Sequence, residues 1–231
     1  MHTTIFRPRA IAIAAFCASA SVAAHAGIVY GDVTTPPGIY FGSGNPNGNF
    51  QINRDVAGLE LAIRAKNRIG APVLIDGSTG TYAAAPGTIA PGNVRATWNY
   101  EFSILSDNGV DAYLYRLGVD TDNTPGINYF FVDPVTYWTD NSKYFDPGNQ
   151  LDGIQASQNV GFGDTPGGAH VGNGPGNFSF VLAAFSRNTT NFSLANALAV
   201  TSMNVDVPEP ASIALVGAAL LGLALSRRRV S

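Results

Sequence analysis

The sequence predicts an all-β protein: an antiparallel β-sandwich, jelly-roll-like in arrangement, followed by a single C-terminal helix of transmembrane type. Three observations predict it. Short runs of alternating apolar and polar residues recur along the body of the chain. Breakers interrupt them throughout, with 26 Gly and 14 Pro in 231 residues, too many for long helices. Near the C-terminus, residues 211–225 carry no charge and are almost wholly apolar, and three arginines follow.

The chain opens with Arg7 and Arg9 and no acid in residues 1–9, and small apolar residues fill 10–24. Ala24-His25-Ala26 places small residues at the two positions a signal peptidase reads. Residues 1–26 therefore read as a secretory signal peptide, with Gly27 the first mature residue. Cys17 follows Phe16, which does not suit a lipobox, so a lipid anchor is rejected.

Residues 27–206 form one predicted β-sandwich ectodomain. Its clearest strand is "VRATWNYEFSILS", where Val94, Ala96, Trp98, Tyr100, Phe102 and Ile104 alternate with polar residues. Such a period of two gives a strand one buried face. Asp107-Asn108-Gly109 then signals a hairpin turn, with "VDAYLYRLGV" as the returning strand. "GLELAIRAKNR" alternates too, placing Glu60 on the polar face, as Glu101 is in the strand before the turn. "GIVYGDV", "GIYFG", "GNFQIN", "INYFFVD", "FSFVLAAFS" and "LAVTSMNVDV" are further strands. Residues 41–50 and 161–178 are rich in Gly, Asn and Pro and read as surface loops. "GSGNPNG" lacks the Lys-Ser/Thr of a phosphate-binding loop.

Composition excludes several functions. The ectodomain holds eight basic and fifteen acidic residues, a net charge of −7, so it lacks the basic footprint that nucleic acid requires. It contains no cysteine, so no disulfide staples it. His170, in a Gly-rich segment, is its one histidine, and there is no G-x-S-x-G. Glu60 and Glu101 are its only glutamates, and as polar-face residues they read as solvated surface rather than a glycosidase pair. No catalytic residue is assigned.

Acids concentrate in one stretch: Asp120, Asp122, Asp133, Asp140, Asp146 and Asp152. Calcium takes six to eight oxygen ligands, which Asp-rich loops can supply. "DTDNTPG" opens like an EF-hand loop but has Pro125 where glycine belongs and Phe131 where the closing acid belongs. Turn capping is the stronger reading, because several of these Asp precede Pro or Gly. If an ion is held, it is calcium, on Asp120 and Asp122. "INYFFVDPVTYW" could line a carbohydrate groove, but core packing is the expected role. Asn177, Asn188 and Asn191 match the glycan acceptor triplet, a pattern that arises often by chance.

Residues 207–231 return to the apolar run. As a helix it covers about 22 Å, against a bilayer core of about 30 Å. Arg227, Arg228 and Arg229 would stay on the cytoplasmic side. Pro208-Glu209-Pro210, an apolar run and a basic cluster, in this order behind a signal peptide, resemble the PEP-CTERM sorting tail of Gram-negative bacteria. The resemblance covers about the last 25 residues. It implies that a membrane-embedded exosortase recognises the tail, cleaves near Pro-Glu-Pro and passes the protein to the exterior after transient inner-membrane insertion. It also implies a link to exopolysaccharide and biofilm. The expected protein is thus an exported, non-enzymatic structural component of the surface or matrix, with signal peptidase and exosortase as processing partners and extracellular polysaccharide as a further partner. The alternative is a secreted carbohydrate-binding module or carbohydrate-active enzyme with the same tail.

Overall fold

The structure, a computed structural model, describes residues 28–34, 47–68, 74–76, 80–92, 94–121, 124, 126–162, 165–166, 174–209 and 215–220. Twelve strands run through them in chain order: β1 (Ile28–Gly31), β2 (Phe50–Asn53), β3 (Leu59–Asn67), β4 (Leu74–Asp76), β5 (Thr81–Ala83) and β6 (Trp98–Ser106). β7 (Tyr113–Asp120), β8 (Tyr129–Val132), β9 (Ser142–Phe145), β10 (Leu151–Asn159), β11 (Gly176–Ser186) and β12 (Ala199–Val207) complete the set. A short helix, α1 (Pro134–Tyr137), joins β8 to β9. The strands build two six-stranded sheets, ordered β1-β2-β3-β6-β10-β9 and β4-β5-β12-β11-β7-β8.

The apolar faces of the two sheets meet in one core. Leu61 and Ile63 of β3 and Trp98, Tyr100, Phe102 and Ile104 of β6 face Phe178, Phe180 and Leu182 of β11, all at most 2% exposed. Trp98 meets Phe178 at 5.7 Å and Tyr100 meets Phe180 at 4.9 Å between ring centroids. Each fully buried side chain of this size stabilises by about 1.5–3 kcal/mol, which lets packing hold a cysteine-free sandwich.

Two strand pairings differ from the sequence reading. The strands flanking Asp107-Asn108-Gly109 do not form a hairpin, because β6 lies in the first sheet and β7 in the second. Gly109 takes a positive φ of 85°, and a 3₁₀ turn at Val110–Ala112 buries Val110 in the core. That buried anchor carries the chain across the sandwich edge instead of back along β6. The second difference is that β5 pairs with β12 in parallel, so the sandwich is not wholly antiparallel. Parts of the two aperiodic stretches are also built in. Phe50 is fully buried in β2, residues 176–178 open β11, and Gly161, Thr165 and Pro166 are buried.

The strand expected at "GIYFG" lies outside the described residues. Of the C-terminal run, residues 215–220 are helical, with Leu215, Val216 and Leu220 exposed. No described helix is long and apolar enough to cross a membrane.

Candidate functional site

The Pro-Glu-Pro stretch begins directly where the fold ends. β12 is an inner strand of the second sheet, between β5 and β11. Its last residue, Val207, is buried and registers with Gly176. The Asp206 carbonyl accepts from the Ala84 amide at 3.0 Å. Pro208 and Glu209 follow outside any strand or helix, both exposed, while Pro210 and Arg227 to Arg229 lie outside the described residues. A proline has no amide to continue a ladder, so the sheet stops here. The result is a solvent-accessible peptide immediately beside a rigid end.

That end is held by Asn159, the last residue of β10 and fully buried. Its Nδ2 donates to the Ala96 and Trp98 carbonyls at 2.9 and 3.0 Å and to Asn99 Oδ1 at 2.7 Å. Its Oδ1 accepts from the Ala96 and Gly161 amides at 2.8 and 3.0 Å. One side chain thus ties the segment before β6 to the segment after β10. Sequence reading missed it, because a buried Asn and a turn Asn look the same in "ASQNVG".

The two glutamates are not solvated, contrary to the sequence reading. Glu101 is fully buried, with Arg64 Nε and Nη2 at 2.6 and 2.5 Å from Oε2 and Lys66 Nζ 3.1 Å from Oε1. Arg64 also donates to the Gly48 carbonyl and stacks 4.2 Å from the Phe50 ring centroid. Glu60 accepts from the Thr34 amide and hydroxyl, both at 2.9 Å, and from Arg54 Nε at 2.7 Å. Both carboxylates are therefore occupied as structural clamps. In register, Glu60 faces Leu105 while Glu101 faces Arg64, a four-residue offset along adjacent strands. That offset sets their backbone positions about 13 Å apart along the strands. Glu101 turns to Arg64 and Lys66 while Glu60 turns to Thr34 and Arg54, so the two carboxylates serve separate partners rather than one site. Glu60 lines a cleft of about 230 Å³ with Thr34, Arg54 and Asp107, below the usual range of ligand pockets.

Three of the aspartates, Asp120, Asp133 and Asp146, bind backbone amides, while Asp152 accepts from Gln150 Nε2 at 2.8 Å. Asp133 caps α1 through the Val135 amide at 3.0 Å, and Asp146 closes a turn through the Gln150 amide at 2.5 Å. Asp120 is buried and accepts from the Asn128 and Ser179 amides at 3.1 and 3.4 Å. Asp122 and His170 lie outside the described residues, as do Ala24, Ala26 and Gly27. Among the described residues, no three His, Cys, Asp or Glu gather around a common point.

The aromatic stretch divides. Val132 and Trp138 join the core, but Phe130 and Phe131 stay 48% and 42% exposed on the edge strand β8. Phe131 leans over Gly118, whose missing side chain makes room for the ring, and meets Tyr129 at 5.4 Å. Burial, and then Asp120 beside it, push the Tyr129 hydroxyl up to about 12.

Residues 206–229 match the family model described as the PEP-CTERM protein-sorting motif. A tail of this kind implies export and sorting to the cell surface by an exosortase. Its match starts inside β12, at Asp206, so the address and the fold share their boundary. No curated protein and no solved structure matches the chain.

Proposed function

We propose that the chain is a non-catalytic structural protein of the extracellular matrix, delivered by signal peptidase and exosortase and retained among exopolysaccharide. The observation that carries this reading is the sorting motif joined directly to a closed sandwich, with no further domain between them. Support against catalysis comes from the carboxylates: Glu60 and Glu101 are each held in ion pairs with separate partners, at backbone positions four residues out of register, an arrangement unlike two acids flanking one glycosidic bond. The test is turnover by the purified ectodomain on ester, peptide and glycoside substrates. No turnover is expected. Activity lost on Glu60→Gln or Glu101→Gln, with the fold retained, would overturn the reading.

A second reading, a carbohydrate-binding module, is favoured by Phe130 and Phe131 on β8. Exposed rings on a rigid strand offer apolar faces to the C–H side of a pyranose. Binding on a glycan screen that disappears in Phe130→Ala/Phe131→Ala would establish it.

Calcium is a separate matter. Two backbone amides already engage Asp120, so it serves as a clamp between the chain after β7 and β11. The melting temperature is expected to be the same in calcium and in EDTA. A rise in calcium that Asp120→Asn/Asp122→Asn removes would make these acids ligands.

A further inference from the structure

We infer that the end of the sandwich at which β12 finishes is a membrane-apposed face, held against lipid headgroups for as long as the tail is attached. The inference rests on the reading that the apolar run inserts in the bilayer. Its basis is the length of chain available. Val207 is buried and paired, so the exit from the fold is rigid. Only residues 208–210 separate it from the apolar run at Ala211. Four Cα steps reach at most about 14 Å, and about 6 Å of that is taken up by the headgroup layer.

The strand directions define which surface this is. β5 runs parallel to β12, so the chain leaves β5 at the same end, and the Ala84 amide bonds the Asp206 carbonyl there. β11 starts at this end, and β7 finishes here, with Asp120 reaching the Ser179 amide. The connections from β5 to β6 and from β7 to β8 therefore surround the exit. They carry Val94, 54% exposed, and Ile127, 61% exposed. Arg95 is exposed beside Val94, with its guanidinium 5.7 Å from the Phe162 ring centroid, and exposed Arg68 follows β3 nearby, its amide donating to the Thr97 carbonyl.

The opposite end, with the Glu60 cleft, the Asp107-Asn108-Gly109 turn and the 3₁₀ turn Leu194–Asn196, stands about 30 Å away across the nine residues of β12. The ectodomain's charge of −7 gives it little attraction of its own to an anionic surface. The tether therefore imposes the contact, by raising the local concentration of one face at the bilayer. Cleavage near Pro-Glu-Pro would uncover Val94 and Ile127 at the moment of release.

The signal-processed chain has no cysteine, which makes single-site labelling clean. Val94→Cys, Ile127→Cys and Ala195→Cys, each carrying a fluorophore, are reconstituted through the tail into phosphatidylethanolamine–phosphatidylglycerol vesicles containing a headgroup quencher. Ala90→Cys is a second exposed reporter on the same connection as Val94. The expected result is loss of fluorescence at 94, 127 and 90, none at 195, and none anywhere in a chain ending at Glu209. Vesicle flotation is read in parallel. Protein that floats with no loss at 94, 127 or 90, or with equal loss at 195, overturns the inference and leaves the anchor intact. Protein that does not float overturns the anchor reading and the inference with it.

Discussion

Glu101 shows how one residue constrains the rest. A fully buried carboxylate is tolerated because Arg64 and Lys66 both reach it, and removing one partner of such a set leaves uncompensated charge. Glu101→Gln should therefore destabilise by about 3 kcal/mol. Glu60→Gln, opposite the half-exposed Arg54, should cost about 1 kcal/mol. Urea denaturation of both variants checks the order, and equal costs would contradict the buried cluster. The tyrosines give a pH limit with a definite sign. Tyr129 is held neutral in the fold, up to about 12, and Tyr82 and Tyr115 are raised further, in each case mainly by burial. An unfolded tyrosine ionises near 10. The protonated hydroxyls thus contribute stability that is whole below about pH 10 and lost as pH rises through 12. Cooperative unfolding in that alkaline window, followed by tyrosinate absorbance at 295 nm, is the expected result.

At the scale of the element, β6 and β3 were legible because one face of each is strictly apolar. Where the chain goes after β6 was not, since Asp107-Asn108-Gly109 supplies the same backbone freedom to a hairpin and to a crossing between sheets. Val110 decides between them by burying in the core, and that depends on residues far away in sequence. The polar faces misled for a related reason. Alternation reveals which side chains are polar, not whether a second layer covers them, so Glu60 and Glu101 read as solvated. The parallel β5–β12 pair joins segments about 120 residues apart and leaves no local signal. The Asn159 lock has a sharp test. A Cβ on Gly161 would stand 2.0 Å from the Val94 carbonyl oxygen and 2.7 Å from the Ala96 nitrogen, both backbone atoms that cannot rotate away. Gly161→Ala should cost about 3 kcal/mol, whereas Gly174→Ala, with nothing within 4 Å, should stay within about 0.5 kcal/mol of the parent. Matching melting temperatures for the two variants would contradict the packing at this end.

For the molecule as a whole, the address was more legible than the architecture. Pro208-Glu209-Pro210, the apolar run and the arginines are contiguous, so sequence alone displays them, and the family model recovers the same stretch. What sequence did not display is that the motif abuts an inner strand. Among the described residues β12 is the last strand made, and it lies between β5 and β11, so the second sheet closes only after the end of the ectodomain has arrived. Cleavage near Pro208 would leave that sheet whole, because among the described residues no ladder residue lies beyond Val207. The central claim is that the tail is a temporary anchor and an address. Intact-mass analysis of the cell-surface fraction from the native host tests it most directly. The account predicts a product that begins at Gly27 and ends close to Pro208, with a longer, membrane-held form when Pro208, Glu209 and Pro210 are all replaced by alanine. A surface product that still carries residues 211–231 would contradict it.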